Sequence, residues 1–72
     1  MSHETALKLI ADELAKARAK HPVWPNNAYH AAAIITEEIG ELCQALLQNR
    51  AKDSIAEAVQ IAATAIRYIT GE

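Results

Sequence analysis

Seventy-two residues allow one domain, 1–72, and a chain of this size buries only about 60% of the surface its unfolded form exposes, so a lone core is marginal. Cys43 is the only cysteine, which excludes an internal disulfide and fits a reducing, cytoplasmic setting, with oligomerisation as the expected supplement to the core. Seven Lys and Arg against nine Asp and Glu give a net charge of −2, too little positive field to hold a nucleic-acid backbone; charge also interrupts every apolar stretch before the ~20 residues that a membrane span needs, and no signal-peptide pattern opens the chain.

From about Thr5 to Lys20, Leu7, Ile10, Leu14 and Ala17 recur at helical spacing, with Lys8, Asp12, Lys16 and Lys20 mostly on other sides, which predicts an amphipathic first helix. The segment His21-Pro22-Val23-Trp24-Pro25-Asn26-Asn27 cannot continue it, because each proline lacks an amide donor and biases the preceding residue away from helix. A loop anchored by Trp24 is expected there.

Asn26 or Asn27 can cap the free amides of a second helix, which the pattern carries to about Asn49. Ile35, Ile39, Leu42 and Leu46 define its apolar face, with Ile34 and Ala45 extending that face to one side. After the connection Arg50-Ala51-Lys52-Asp53, Ser54 followed three residues later by Glu57 has the form of a capping box, and the third helix stops at Gly71. The expected fold is all-α: three main helices per chain, packing into an oligomeric helical bundle.

Glu38 and Glu41 point at or along the packing face of the second helix, while Glu37 is turned about 100° from Glu38 toward the polar side. Carboxylates that share a helix face repel, and desolvating one without a partner costs several kcal/mol or raises its pKa. A magnesium ion resolves this, since it prefers oxygen ligands and is often shared between carboxylates and phosphates. The competing reading is that the three glutamates are helix-favouring surface residues. On the third helix Glu57, Gln60, Thr64 and Arg67 form a narrow polar strip bounded by apolar positions, which reads as an internal seam, although Glu57 is also claimed by the capping box with Ser54.

Glu38-x-x-Glu41, fifteen intervening residues, then Glu57-x-x-Gln60 resembles the E-x-x-E … E-x-x-D signature of the all-α nucleoside triphosphate pyrophosphohydrolases, the MazG-like superfamily. The run from Trp24 through Asn27 and His30 into Ile34–Leu42 is similar to the tryptophan-containing loop and EExxE helix of that family. The resemblance implies magnesium-dependent cleavage, with manganese as a substitute, of a nucleotide between its α and β phosphates, carried out by a homodimer or homotetramer. By it, Glu38, Glu41 and Glu57 match metal ligands, Gln60 stands where the family has an aspartate, and Glu37 matches the first glutamate of EExxE. Glu37 or Glu41 is then the base that accepts the proton of an attacking water. Lys20 and Arg67, with Lys16, Arg50 and Lys52, are candidates for the outer phosphates, and Trp24 either stacks on a base or pins the loop. His21 and His30 fall in no zinc-ligand spacing, and Cys43 reads as an inert or interfacial thiol. The alternative function is a helical binding or assembly module on the same scaffold, motivated by the neutral Gln60 and the short chain.

Overall fold

Ser2 accepts a hydrogen bond at its Oγ from the Thr5 amide at 3.1 Å, which starts the first helix two residues earlier than the apolar spacing predicts. A computed structural model describes residues 1–72, and in it α1 spans His3–Lys20, α2 spans Ala28–Leu47 and α3 spans Ala51–Thr70. The loop between α1 and α2 carries both prolines, as expected. Asn27 caps α2, its Oδ1 accepting from the amides of Tyr29 at 2.9 Å and His30 at 3.2 Å.

The α2–α3 turn differs from the sequence expectation at both ends. Asn49 lies in the left-handed region with φ 56°, a conformation that asparagine tolerates better than most residues, so α2 ends at Leu47 rather than at Asn49. Helix α3 begins directly after Arg50, and Ser54 is already inside it, its hydroxyl donating to the Ala51 carbonyl at 2.7 Å. The capping box of Ser54 with Glu57 therefore does not form. An exposed ion pair, Arg50 to Asp53 at 2.8 Å, spans the first turn instead; such pairs contribute little by themselves. At the other end Gly71 takes φ 75° and donates its amide to the Arg67 carbonyl, the C-terminal stop that the sequence predicts.

Helix α3 is the common support: α1 and α2 both pack on it, and they do not pack on each other. The side chains that are buried are Ala31 and Ala45 of α2 and Ala63 and Arg67 of α3. Small residues at these positions let the helices approach closely, but they remove little apolar area from water. The α2 surface turned toward α3 is accordingly rotated from the predicted stripe: Ile34, Ile35, Glu38 and Leu42 are half-buried around the two alanines, whereas Ile39 and Leu46 are 46% and 58% exposed.

No helix is long and apolar enough to cross a membrane. Asn27→Ala therefore lowers the unfolding free energy by about 1 kcal/mol, while Ser54→Ala stays within about 0.5 kcal/mol of the parent. Helical circular dichroism followed through urea titration checks both values at one protein concentration.

Candidate acidic groove over α3

Because α1 and α2 diverge over α3, an open groove of about 540 Å³ runs between them. From α2 come Glu37, Glu38, Glu41 and Ile34; from α1 come Glu13, Lys16, Ala17 and Lys20, with His21 just beyond; Gln60 of α3 forms part of the floor. The predicted residues Glu37, Glu38, Glu41, Gln60 and Lys20 are thus brought to one place. Glu57, one turn before Gln60 on α3, is not part of this lining, and no three His, Cys, Asp or Glu side chains of the single chain are grouped closely enough to hold a metal ion.

Glu38 is the focus of the groove. Its Oε1 is buried and has no hydrogen-bond partner, and Glu57 Oε2 is in the same condition. Burial pushes the Glu38 carboxyl above its ordinary range, and repulsion from Glu41, Glu37 and Glu13 adds to this, while the Thr64 hydroxyl on α3 draws it the other way. The ring of acids is balanced in part by Lys16 and Lys20 on the facing wall. Since Glu57 is not engaged in a cap, its carboxylate is free of the competing role that the sequence allowed it.

A second cavity of about 400 Å³ adjoins the first, sharing Ala17, His21, Ile34 and Glu38 and adding Val23, Trp24, Pro25, His30, Thr64 and Arg67. Trp24 and Arg67 are placed here, but as a structural pair. The Arg67 guanidinium is 5% exposed and donates to the carbonyls of Glu72 at 2.9 Å, Ala17 at 3.4 Å and His21 at 2.6 Å. It also lies 5.5 Å from the centre of the Trp24 ring, within cation–π range. The candidate role of Arg67 in holding outer phosphates is corrected accordingly: its donors are committed to tying the end of α1 and the proline loop to α3. Arg50 is likewise engaged, with Asp53 and the Gln48 side chain, and Lys52 lies in a different depression, with Leu9 and Ile55.

Glu13 was missed in the sequence. The available signal was the one that identified Glu38, a carboxylate between apolar positions of the same face, here Ile10 and Ala17.

No protein-family model matches the chain, and no curated protein and no solved structure matches it.

A carboxylate whose folded pKa is raised makes the folded state bind a proton more tightly than the unfolded state does. Its stabilising influence is complete below the ordinary carboxylate range and is lost as pH rises through the raised folded value. In the absence of divalent cations, Glu38→Gln is therefore expected to gain stability relative to the parent as pH rises through that window, by about 1 kcal/mol or less because the groove is open to solvent. Thermal melts of the two proteins at matched pH values from acid to neutral measure this difference, and a constant difference across the series would remove Glu38 as the strained group.

Proposed function

We propose that this chain is a magnesium-dependent nucleoside triphosphate pyrophosphohydrolase of the MazG-like kind, releasing a nucleoside monophosphate and pyrophosphate and working as a homodimer or homotetramer. The observation that carries the reading is the unpartnered, buried Oε1 of Glu38 at the centre of an open groove walled by the acids of α2 on one side and by Glu13, Lys16 and Lys20 of α1 on the other. Hard oxygen donors beside paired cations suit a polyphosphate carried with a divalent ion.

The donor types suit magnesium: Glu38 and Glu41 on one helix face and the Gln60 carbonyl across the floor, with Glu57 one turn before Gln60 on α3 and outside the groove lining. When bound, the ion would polarise a phosphate and neutralise charge developing on it. Glu37, displaced from the packing face and exposed, is free to accept a proton from the attacking water, as is Glu41. Lys16 and Lys20 would meet the outer phosphates as point charges. Trp24, held by Arg67, walls the adjoining cavity and offers one ring face to a base.

A second reading has a specific observation behind it. The single chain gathers no group of three acids for an ion, and Gln60 supplies a neutral oxygen where the family signature has an anion. On this reading the groove binds a nucleotide, or serves assembly, without turnover.

The two readings separate in one assay. A panel of ribo- and deoxyribonucleoside triphosphates is incubated with magnesium or manganese, and pyrophosphate and monophosphate are quantified. The enzyme reading expects turnover that falls to background in Glu38→Gln and drops by about 100-fold or more in Glu37→Gln or Glu41→Gln, whichever carries the base. Turnover no greater than that of Glu38→Gln across the panel ends it in favour of the binding module. In parallel, magnesium should raise the melting temperature of the parent and not of Glu38→Gln, and Gln60→Asp should enlarge that rise.

A further inference from the structure

The acids of α1 are Glu4, Asp12 and Glu13, and they are not equivalent. Glu4 and Asp12 are exposed, as the acids of a solvent-facing helix are. Glu13 is half-buried in the stripe of Ile10, Leu14 and Ala17 by which α1 packs on α3. It has no ion-pair partner there: Lys16 lies one turn away on the same wall, yet the chain's ion pair is the exposed one of Arg50 with Asp53. Across the groove it faces charge of its own sign, and its repulsion is felt at Glu38.

The register of α1 on α3 sets this carboxylate beside a neutral position. Glu13 and Gln60 line both the acidic groove and the depression of about 320 Å³ that continues it toward Leu9 and Ile55. One turn on, Ala17 and Thr64 line the cavity beside Trp24 together, so α1 and α3 run in the same direction and in step. What α3 contributes to the groove is the Gln60 amide, whose oxygen has lone pairs but no charge. Opposite Glu37, Glu38 and Glu41 of α2, the one negative group in the lining is therefore Glu13 of α1.

The geometry points to Glu13 as the acid that completes the groove's hold on a divalent cation, α1 supplying from the facing wall the negative charge that α3, with Gln60, does not. This rests on the magnesium reading above and deepens it by adding a third helix to the site. A desolvated carboxylate among like charges needs a positive partner, and one cation between the walls serves Glu13, Glu38 and Glu41 together. No three acids are grouped closely enough to hold an ion by themselves. Magnesium, however, keeps several of its waters, and groups that act on a metal from beyond its direct ligands still change its affinity. A cation held in this way also links α1 to α2, which do not otherwise pack on each other, so binding should stabilise the fold.

The test is magnesium titration of the full chain without nucleotide, by calorimetry and by thermal melting at fixed ionic strength. It compares the parent with Glu13→Gln, Asp12→Gln and the double variant Glu13→Gln with Gln60→Asp. Glu13→Gln removes charge and keeps shape; without metal it should melt at or above the parent, because repulsion is relieved, and it should bind magnesium about tenfold or more weakly. The double variant should recover most of that affinity, since the aspartate returns a negative charge from the floor. Asp12→Gln, exposed and outside the groove lining, loses the same formal charge and should bind as the parent does. Unchanged magnesium affinity in Glu13→Gln overturns the inference and leaves the magnesium reading standing. Equal weakening by Asp12→Gln, or no recovery in the double variant, overturns it as well. So does a Glu13→Gln protein that fails to fold without metal, which would show that the fold and not the cation requires Glu13. A parent that binds no magnesium ends the magnesium reading and this inference together.

Discussion

Helix α3 supports both of its neighbours, and the two neighbours do not pack on each other. In a three-helix bundle closed on itself, each helix would turn an apolar stripe toward a shared axis and polar groups would face out. Here the third side of the triangle is open, so the side of α3 that would have lined the axis carries the half-buried Gln60 and Thr64 and ends at the buried Arg67. The polar strip of α3 is thus the floor of a trough, and the same opening admits Glu38 from α2 and Glu13 from α1. The acids meet because the fold fails to close.

Arg67 keeps that opening in shape. A guanidinium has five donors in a fixed fork and no acceptor, which suits it to the carbonyls left free where a helix ends. By donating to Ala17, His21 and Glu72, it ties the end of α1, the start of the proline loop and the chain following α3 to one point. Trp24 covers its face. The positive charge this places at one end of the trough is largely spent on those carbonyls, so it does little to relieve Glu38, whose near neighbours are Glu41, Glu37 and Glu13. The Thr64 hydroxyl supplies part of the relief, and the rest must come from a proton or from a positive charge such as the lysines of α1.

How far the sequence disclosed this depends on whether a feature is local. The three helices, the Asn27 cap and the Gly71 stop are decided within one turn of chain, and they were legible. The beginning of α3 was not, because Ser54-x-x-Glu57 satisfies the capping pattern equally well inside a helix, where the hydroxyl bonds back to Ala51. Nor could periodicity locate the packed face of α2: alanines at 31 and 45 count weakly in any apolar pattern, yet they are the residues that let α2 approach α3. Glu37, Glu38, Glu41, Gln60 and Lys20 were each singled out in the sequence and line the groove, whereas Glu57, expected beside them, does not. Glu13 and the commitment of Arg67 to carbonyls depend on how α1 lies against α3, which no spacing encodes.

The site and the apolar side chains left exposed on α2 and α3 are linked through energetics. Holding a desolvated carboxylate among like charges is unfavourable, and a fold tolerates such strain only where other packing exceeds it. Inside one chain that packing is slight, since the buried alanines have small side chains and Arg67 contributes hydrogen bonds rather than apolar area. Fully burying a leucine or isoleucine is worth about 1.5–3 kcal/mol, and several of these side chains, Ile39, Leu46, Ile55 and Ile69, remain exposed on α2 and α3, across the helices from the acids. Covering them would stabilise the same two helices that carry Glu38, Glu41 and Glu57 without adding any group to the groove. The arrangement therefore separates the surface that can supply stability from the surface where charge is concentrated, and places the helices of the hairpin between them.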